Sequence, residues 1–530
     1  MNTSTDKVSS KYSIETTDYQ VGQDNIQRWG FDIHKPVFGI SALLILIFII
    51  VMLAVDPQSA KTTLNNMRNG ILEQFDSYFM WTMNMFFVFC VLLMVSPLGK
   101  IRIGGKDAKP EHSTISWSAM LFAAGLASGV MFFGVAEPAA LYTDWYGTPF
   151  NAVGYSPEAK QLAIATSFFH WGITGWSVYG IAALALAFFA YNKNLPLSIR
   201  SLLFPIFGDR VWGWLGNVVD ILAVVSTLFG LVASLGLGAQ QAVSGINYVF
   251  GTHGELGMQF GIIAGVTSVA IFSVVRGIEG GVKLLSNINI VFVVGLLILV
   301  AALNIETVIH VLPQGVMDYV KNFVALSNPI GRTDTTFLHG WTIFYWAWWI
   351  SFTPFVGIFI ARVSKGRTVR QFIFSVLVIP TCVIICWFSV FGGIAVEQLA
   401  NKVGQLGMNG LQDISLTLFY VYDAMPMSML LSVVSIVLIL VFFVTSSDSA
   451  SLVIDSITAG GKLDAPVPQR IFWATIEGVI AAILLWVGGS QALEALQSGV
   501  VITALPFSFI LVFTCVSLIK GLNSERHLYR

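Results

Sequence analysis

The sequence predicts an all-α polytopic membrane protein that crosses the bilayer twelve times, and three observations carry that prediction. First, 55% of the 530 residues are hydrophobic and only 11% are charged, well under the ~25% charge of an ordinary soluble domain. Second, apolar runs of about the length needed to cross ~30 Å of hydrocarbon recur at 37–55, 78–96, 117–142, 162–191, 214–240, 259–276, 286–304, 338–361, 371–397, 427–452, 472–489 and 495–518. Third, if the amino terminus is cytoplasmic, 22 of the 28 Lys and Arg residues fall on the inner side and only Lys61, Arg68, Lys160, Lys321, Arg332 and Lys402 on the outer. That asymmetry places both termini in the cytoplasm. A missed or invented span would have mixed the two groups downstream.

In chain order, residues 1–36 form a polar cytoplasmic tail without the short apolar region and cleavage site of a removable signal peptide. Residues 37–116 hold two peripheral transmembrane helices and a cytoplasmic loop. Residues 117–304 and 338–518 each hold five spans, and the third and eighth spans run in opposite directions, as an inverted pair of five-helix units requires. Between them, within 305–337, the stretch 305–325 sets Val308, Ile309, Leu312, Val316, Tyr319, Val320 and Phe323 among polar positions. It reads either as a helix lying at the outer interface or as a capped extracellular loop helix. Residues 519–530 are a short cytoplasmic tail. Cys90, Cys382, Cys386 and Cys515 lie in apolar runs without metal or disulfide spacing and read as packing residues.

A net charge of −1 with only short basic runs is not the basic stripe of a nucleic-acid binder. No HExxH, phosphate loop, nucleophile elbow or spaced His/Cys/Asp/Glu cluster is present, so neither an enzyme nor a cofactor has residue-level support. What remains is a set of polar and aromatic constellations inside the spans. Tyr345-Trp346-Ala-Trp348-Trp349-Ile-Ser-Phe352-Thr-Pro-Phe355 and Phe169-His170-Trp171-Gly-Ile-Thr-Gly-Trp176-Ser-Val-Tyr179 are two aromatic runs distant in sequence. Converging, they would form a box for a quaternary ammonium group, which donates no hydrogen bonds but is drawn to π faces; Trp residues at the bilayer interface are the alternative. In the third span, Ala123-Ala-Gly125-Leu126-Ala-Ser128-Gly129 either packs closely against a neighbouring helix or unwinds to offer backbone groups to an ion or carboxylate. In the tenth, Phe442-Phe-Val-Thr445-Ser446-Ser-Asp448 offers hydroxyl oxygens suited to a hard cation, or hydroxyls bonded back to the preceding turn. Glu137, Asp220 and Asp448 are acids within spans and so candidates for function or for a buried pair.

The run from Trp346 through Pro354 to Arg362-Val-Ser-Lys365-Gly-Arg367-Thr-Val-Arg370 resembles the signature of the betaine/choline/carnitine transporter family, and the likeness extends over essentially the whole chain. The third-span glycines ending Phe133-Gly-Val-Ala-Glu137-Pro138, the fourth-span aromatics and Thr445-Ser446-Ser-Asp448-Ser449 follow in family order. The resemblance implies a secondary transporter with a leucine-transporter-like core, usually a homotrimer in the plasma (inner) membrane. It implies that Trp171, Trp176, Tyr179 and Trp349 cage the onium group, with Trp346, Trp348 and Phe352 on the intracellular side and Gly125, Ser128 and Gly129 beside the substrate's carboxylate. It further implies one sodium ion at Ala123, Leu126, Phe442, Thr445 and Ser446, and a second at Thr227 and Phe355.

Four departures bear on the substrate and the ion. The family's Gly-Met-Gly-Ile-Gly reads Gly125-Leu-Ala-Ser128-Gly129 here, and choline-selective relatives often carry Asp at the last position. Leu231 stands where betaine carriers have a second threonine one turn after Thr227. Phe352 stands where tryptophan is common, and the carboxyl-terminal tail lacks a long basic extension. The resulting expectation is sodium-coupled import of a small betaine-type zwitterion, foremost glycine betaine. Its rivals are proton-coupled choline or dimethylsulfoniopropionate uptake, ion-independent carnitine-type exchange and, outside the class, an onium-binding receptor or channel.

Overall fold

A computed structural model of the chain describes residues 17–529 apart from 126–127, 277–278 and 465; the side chains of 122–128, 276–287 and 490 also lie outside the description. The first element is one the sequence reading did not contain. Strands β1 (Asn25–Arg28) and β2 (Phe31–His34) pair antiparallel with Asn25 opposite His34. They are joined through Trp29 and Gly30, both at positive φ (53° and 81°), the backbone a two-residue hairpin turn needs. Trp-Gly lacks the Asn-Gly or Asp-Gly signature of such turns, and the anchors are remote. Asn25 Nδ2 donates to the Ala459 carbonyl at 2.8 Å, the Asp32 amide to Gln469 Oε1 at 3.2 Å, and Lys462 Nζ to Asp32 Oδ2 at 2.5 Å. Burial alone would raise the Asp32 pKa, but the hydrogen bonds from Lys462, Asn25 and Gln27 outweigh it and hold the carboxyl below its usual range.

The remainder is helical. Helix α1 (Lys35–Ala54) is followed by α2 (Pro57–Val95), which is capped by Asp56 accepting from the Ser59 amide and opens on a proline, a favoured start. The expected span at 78–96 is only the inner part of α2. Its 39 residues rise about 58 Å, nearly twice the hydrocarbon thickness, so its first turns project beyond the bilayer. Helices α3 (Thr114–Gly125) and α4 (Ser128–Thr143) flank 126–127. The expected fourth span is two helices, α5 (Pro157–Trp171) and α6 (Ile173–Lys193), divided at Gly172. There a Cβ would sit 2.4 Å from the Phe168 carbonyl oxygen, a contact only glycine avoids.

The short α7 (Phe204–Phe207) leads to α8 (Trp214–Phe250), α9 (Leu256–Arg276), α10 (Glu279–Leu303) and α11 (Ile305–Ser327). Helix α11 leaves α10 at 103° and packs on α5 and α14. Its exposed residues include apolar Ile309, Met317, Val320 and Val324 beside polar Glu306, His310, Gln314 and Lys321, a mixture that an interfacial helix and a capped loop helix both accommodate. After α12 (Thr335–Phe337) come α13 (Ile343–Val363) and α14 (Val369–Asn401). Helix α14 opens on a capping box in which the Thr368 hydroxyl and the Gln371 side chain accept reciprocally. The short α15 (Gly404–Asn409) and α16 (Thr417–Asp423) precede α17 (Ser428–Thr458), α18 (Val467–Gly488) and α19 (Ala492–Glu525).

Among the described residues, ten helices are long and apolar enough to cross a membrane unaided, and the bent α10–α11 pair makes an eleventh. Helices α3 and α4, at 12 and 16 residues, are each too short alone and together occupy the remaining expected span. The packing is reciprocal: α13 lies on α6 while α14 lies on α3 and α4. Helix α8 pairs with α17 and α9 with α18, while α17 meets α9 as α18 meets α8. Exchange of partners in this fashion is what two five-helix units related by a two-fold axis produce. Cys90 and Cys515 are buried as expected, whereas Cys382 and Cys386 lie one turn apart on the exposed face of α14.

Candidate functional site

The break at Gly172 builds the site. On one continuous helix, residues five apart point about 140° away from each other, so Trp171 and Trp176 would face different neighbours. With the helix divided between them, both rings meet Trp349 of α13, at centroid distances of 6.1 and 5.5 Å. Tyr179 closes the group at 4.9 Å from Trp349 and 5.5 Å from Trp176. The four rings meet edge-to-face or tilted, the arrangement aromatic quadrupoles prefer, and each is at most 7% exposed. Gly175, to which the sequence reading gave no role, makes the convergence possible: a Cβ there would lie 2.4 Å from Trp349 Cε2.

Each indole but one is pinned through its N–H. Trp349 Nε1 donates to the His170 carbonyl at 2.9 Å, Trp348 Nε1 to the Gly230 carbonyl at 3.1 Å, and Trp171 Nε1 to Glu137 Oε2 at 2.8 Å. Glu137 also takes His170 Nδ1 on its other oxygen at 2.6 Å, while His170 Nε2 meets the Thr342 hydroxyl at 2.9 Å. Glu137 and His170 are wholly buried, and the acid thus orients the Trp171 ring directly and, through His170, the segment that holds Trp349. Trp176 Nε1 is buried and, among the described residues, has no partner, a donor available to an occupant of the box.

Trp348 and Phe352 adjoin the group, their rings 6.0 Å apart and Trp348 6.0 Å from Trp171. Trp346 does not line the box. Its indole turns to α2, where Nε1 reaches Met80 Sδ at 3.2 Å, and its ring packs on Phe169; Trp348, two residues on, lies about 200° round the helix. Gly129 lies beneath Trp348 and Trp171, where a Cβ would meet their Cη2 atoms at 2.8 and 3.1 Å. Of the other third-span positions, Leu126 and the side chains of Ala123, Gly125 and Ser128 lie outside the described residues.

On α17, the Thr445 hydroxyl donates to the Val441 and Phe442 carbonyls, each at 3.1 Å. The proton is thereby turned inward and the oxygen lone pairs outward, where they can ligate a cation. Thr445 and Ser446 are half-buried, and α17 touches α4. Next to them, Ser447 donates to Glu477 Oε2 at 3.2 Å. Glu477 is a buried acid of α18 that the sequence reading passed over, though an acid inside the apolar run Ile476-Glu477-Gly478 was the signal. Thr227 is fully buried on α8 with its hydroxyl unpartnered among the described residues, and the side chain of Leu231 one turn on is buried and supplies no oxygen. Phe355 lies half-buried on α13, 6.2 Å from Phe352.

The two remaining acids go to ion pairs. Asp220 Oδ2 accepts from Arg200 Nε at 2.7 Å, both buried, and Asp448 lies 3.6 Å from Arg470. Asp220 therefore pins the start of α8 to the preceding loop and takes no part in the box.

Residues 36–527 match the family described as BCCT, betaine/carnitine/choline family transporter. The chain is similar to a glycine betaine/proline/choline/ectoine transporter of Vibrio parahaemolyticus, 64% identical over 525 residues, covering 99% of this chain and 93% of that one. It is also similar to glycine betaine transporter 1 of the same organism, 58% identical over 97% and 99% of the two chains. A glycine betaine transporter of Acinetobacter baylyi is 38% identical over 93% of this chain and 74% of its own. Among solved structures, a Na+-coupled sialic acid symporter in a substrate-bound outward-open state aligns with 15% identity and a TM-score of 0.41, covering 87% of this chain and 98% of that one. The chain is a membrane transporter, not an enzyme, and belongs to the betaine/carnitine/choline transporter family.

Proposed function

We propose that the protein imports a small betaine-type zwitterion, foremost glycine betaine, by symport with sodium across the plasma membrane, with both termini in the cytoplasm and three copies to an assembly. The observation that carries the reading is the group of four rings, Trp171, Trp176, Tyr179 and Trp349, gathered by the break at Gly172 into one buried cluster. Three π faces at ~1–2 kcal/mol each hold an onium head with several kcal/mol. The carboxylate end is served by the Trp176 N–H and by the glycine segment of the third span. The names of the two Vibrio relatives, both glycine betaine carriers, support the same substrate class. One cation descending 100 mV contributes about 2.3 kcal/mol, roughly fifty-fold accumulation.

The test is uptake of a labelled panel (glycine betaine, choline, proline, ectoine) into proteoliposomes with an imposed sodium gradient, and with a proton gradient in its absence. Sodium-driven betaine uptake supports the proposal; uptake driven only by protons refutes the coupling. The proton reading has one observation of its own, the buried Glu137–His170 pair beside the cage.

Gly129 gives a specificity prediction. The family resemblance implies that choline-selective relatives often carry aspartate at this position, yet here its Cβ would collide with two indoles that are themselves pinned. Overpacking of this kind costs about 1–3 kcal/mol. Gly129→Asp should therefore lower betaine uptake tenfold or more without making choline the preferred substrate, which competition uptake assays measure directly. A gain in choline transport would mean that the indoles yield.

A further inference from the structure

On the side that the basic residues place outside, helices α2 and α19 flank a half-open pocket of about 220 Å3, with Tyr146 and His339 also in its wall. One water needs only ~10–15 Å3 of such space, so a small organic solute fits. Arg68 stands 27 residues before the inner end of α2, about 40 Å along the helix and beyond the hydrocarbon. It lines the cavity and is only 9% exposed. Among the described residues nothing hydrogen-bonds or ion-pairs with its guanidinium, and its Nε is a buried donor without an acceptor in the protein. Arginine cannot shed its charge; Glu494 acts on it through space, but among the described residues no acceptor takes up its buried Nε.

Glu494 also lines the cavity, in the first turn of α19, where the helix dipole favours a carboxylate. It accepts from Asn65 Nδ2 at 3.4 Å and from the Tyr146 hydroxyl at 3.3 Å but forms no ion pair with Arg68. His339, which also faces the space, is taken by Asp76 at 3.3 Å. The walls are tied together by Lys61 bonding Gln491 and by the Ser498 hydroxyl donating to Asn65 Oδ1 at 3.3 Å. The cavity thus presents one buried positive and one negative group that do not neutralise each other by contact. A bare anion meets Glu494, and a bare cation meets Arg68. A molecule carrying both charges satisfies both.

We infer that this cavity is a second, outer binding site for a small zwitterion, with the carboxylate on Arg68 and the cationic end toward Glu494 and the Tyr146 ring. The choice of solute rests on the substrate class proposed above; the site shares no residue with the aromatic box. The test is equilibrium binding of labelled glycine betaine to the full-length protein in lipid nanodiscs. Wild type should bind two molecules per chain; Trp349→Leu should weaken one of the two sites tenfold or more and leave the other unchanged, and Trp349→Leu with Arg68→Gln should weaken both.

The near-isosteric Glu494→Gln serves as a second probe that does not depend on the folding of the Arg68 variant. It should weaken outer-site betaine binding at least fivefold while strengthening competition by acetate, since only the negative neighbour is lost. One site in the wild type, weakened by Trp349→Leu, would overturn the outer site and leave the cage standing. Chloride or acetate binding that Glu494→Gln leaves unchanged, with no second betaine bound, would show a simple anion site and overturn the zwitterion. Absence of betaine binding altogether would remove the function reading and this inference with it.

Discussion

Replacing Trp349 with leucine is expected to raise the apparent glycine betaine constant for uptake by tenfold or more. Trp349 is the ring that the other three share, at 6.1, 5.5 and 4.9 Å from Trp171, Trp176 and Tyr179. Its N–H anchors the box to the His170 carbonyl, and its five-membered ring lies on Gly175. Leucine keeps most of the apolar volume and loses the π face, worth ~1–2 kcal/mol to a desolvated cation, together with the edge-to-face contacts that orient the neighbours, each ~0.5–1.5 kcal/mol. About 1.4 kcal/mol is tenfold in a binding constant, so the π face alone accounts for the expected change. Phenylalanine retains a face without the N–H and should be milder. The measurement is the concentration dependence of uptake, normalised to protein in the membrane. An unchanged constant in Trp349→Leu would exclude these rings as the onium site.

The second large effect concerns the coupling ion. Changing Thr445 and Ser446 together to alanine should flatten the sodium dependence of uptake while leaving the protein inserted. Thr445 already gives its proton to the Val441 and Phe442 carbonyls, so removing its oxygen breaks no tertiary contact in the helix bundle. What is lost is acceptor capacity toward a hard cation, which binds through oxygens and is costly to bury without them. In the unmodified protein the sodium activation curve should be closer to hyperbolic than to second order, because Leu231 offers no oxygen beside Thr227. A double variant with wild-type sodium activation would place the ion elsewhere; a Hill coefficient near two in the parent would show that a second ion binds without the missing hydroxyl.

Both effects start from residues visible in the sequence, but their arrangement is not. The aromatic runs around 171–179 and 345–355 stand out because indoles are rare in the middle of apolar segments. Their convergence depends on Gly172, a single residue in an otherwise unbroken hydropathic run, where a window average registers nothing. Trp346 illustrates the converse: it belongs to the same run as Trp348 and Trp349 and yet turns to Met80 on α2, because the rotation of a helix about its axis is set by what packs on it. The hairpin at 25–34 escaped notice for a related reason, since its anchors, Ala459, Lys462 and Gln469, lie more than four hundred residues away.

The sequence by itself determined the membrane class, the order of the spans, the sidedness expected from Lys and Arg, and the chemical types available at mid-membrane. These are local or additive properties: the cost of placing a peptide in hydrocarbon is summed along one segment, and no partner is needed to read it. Tertiary structure decided which side chains meet. It joined Glu137 to His170 and Trp171, committed Asp220 to Arg200, and set Arg68 and Glu494 around one cavity without letting them touch. Hydrogen bonds and ion pairs act within a few ångströms, whereas these partners are separated by as many as four hundred residues of chain, so only the packing of the helices can bring them together or hold them apart.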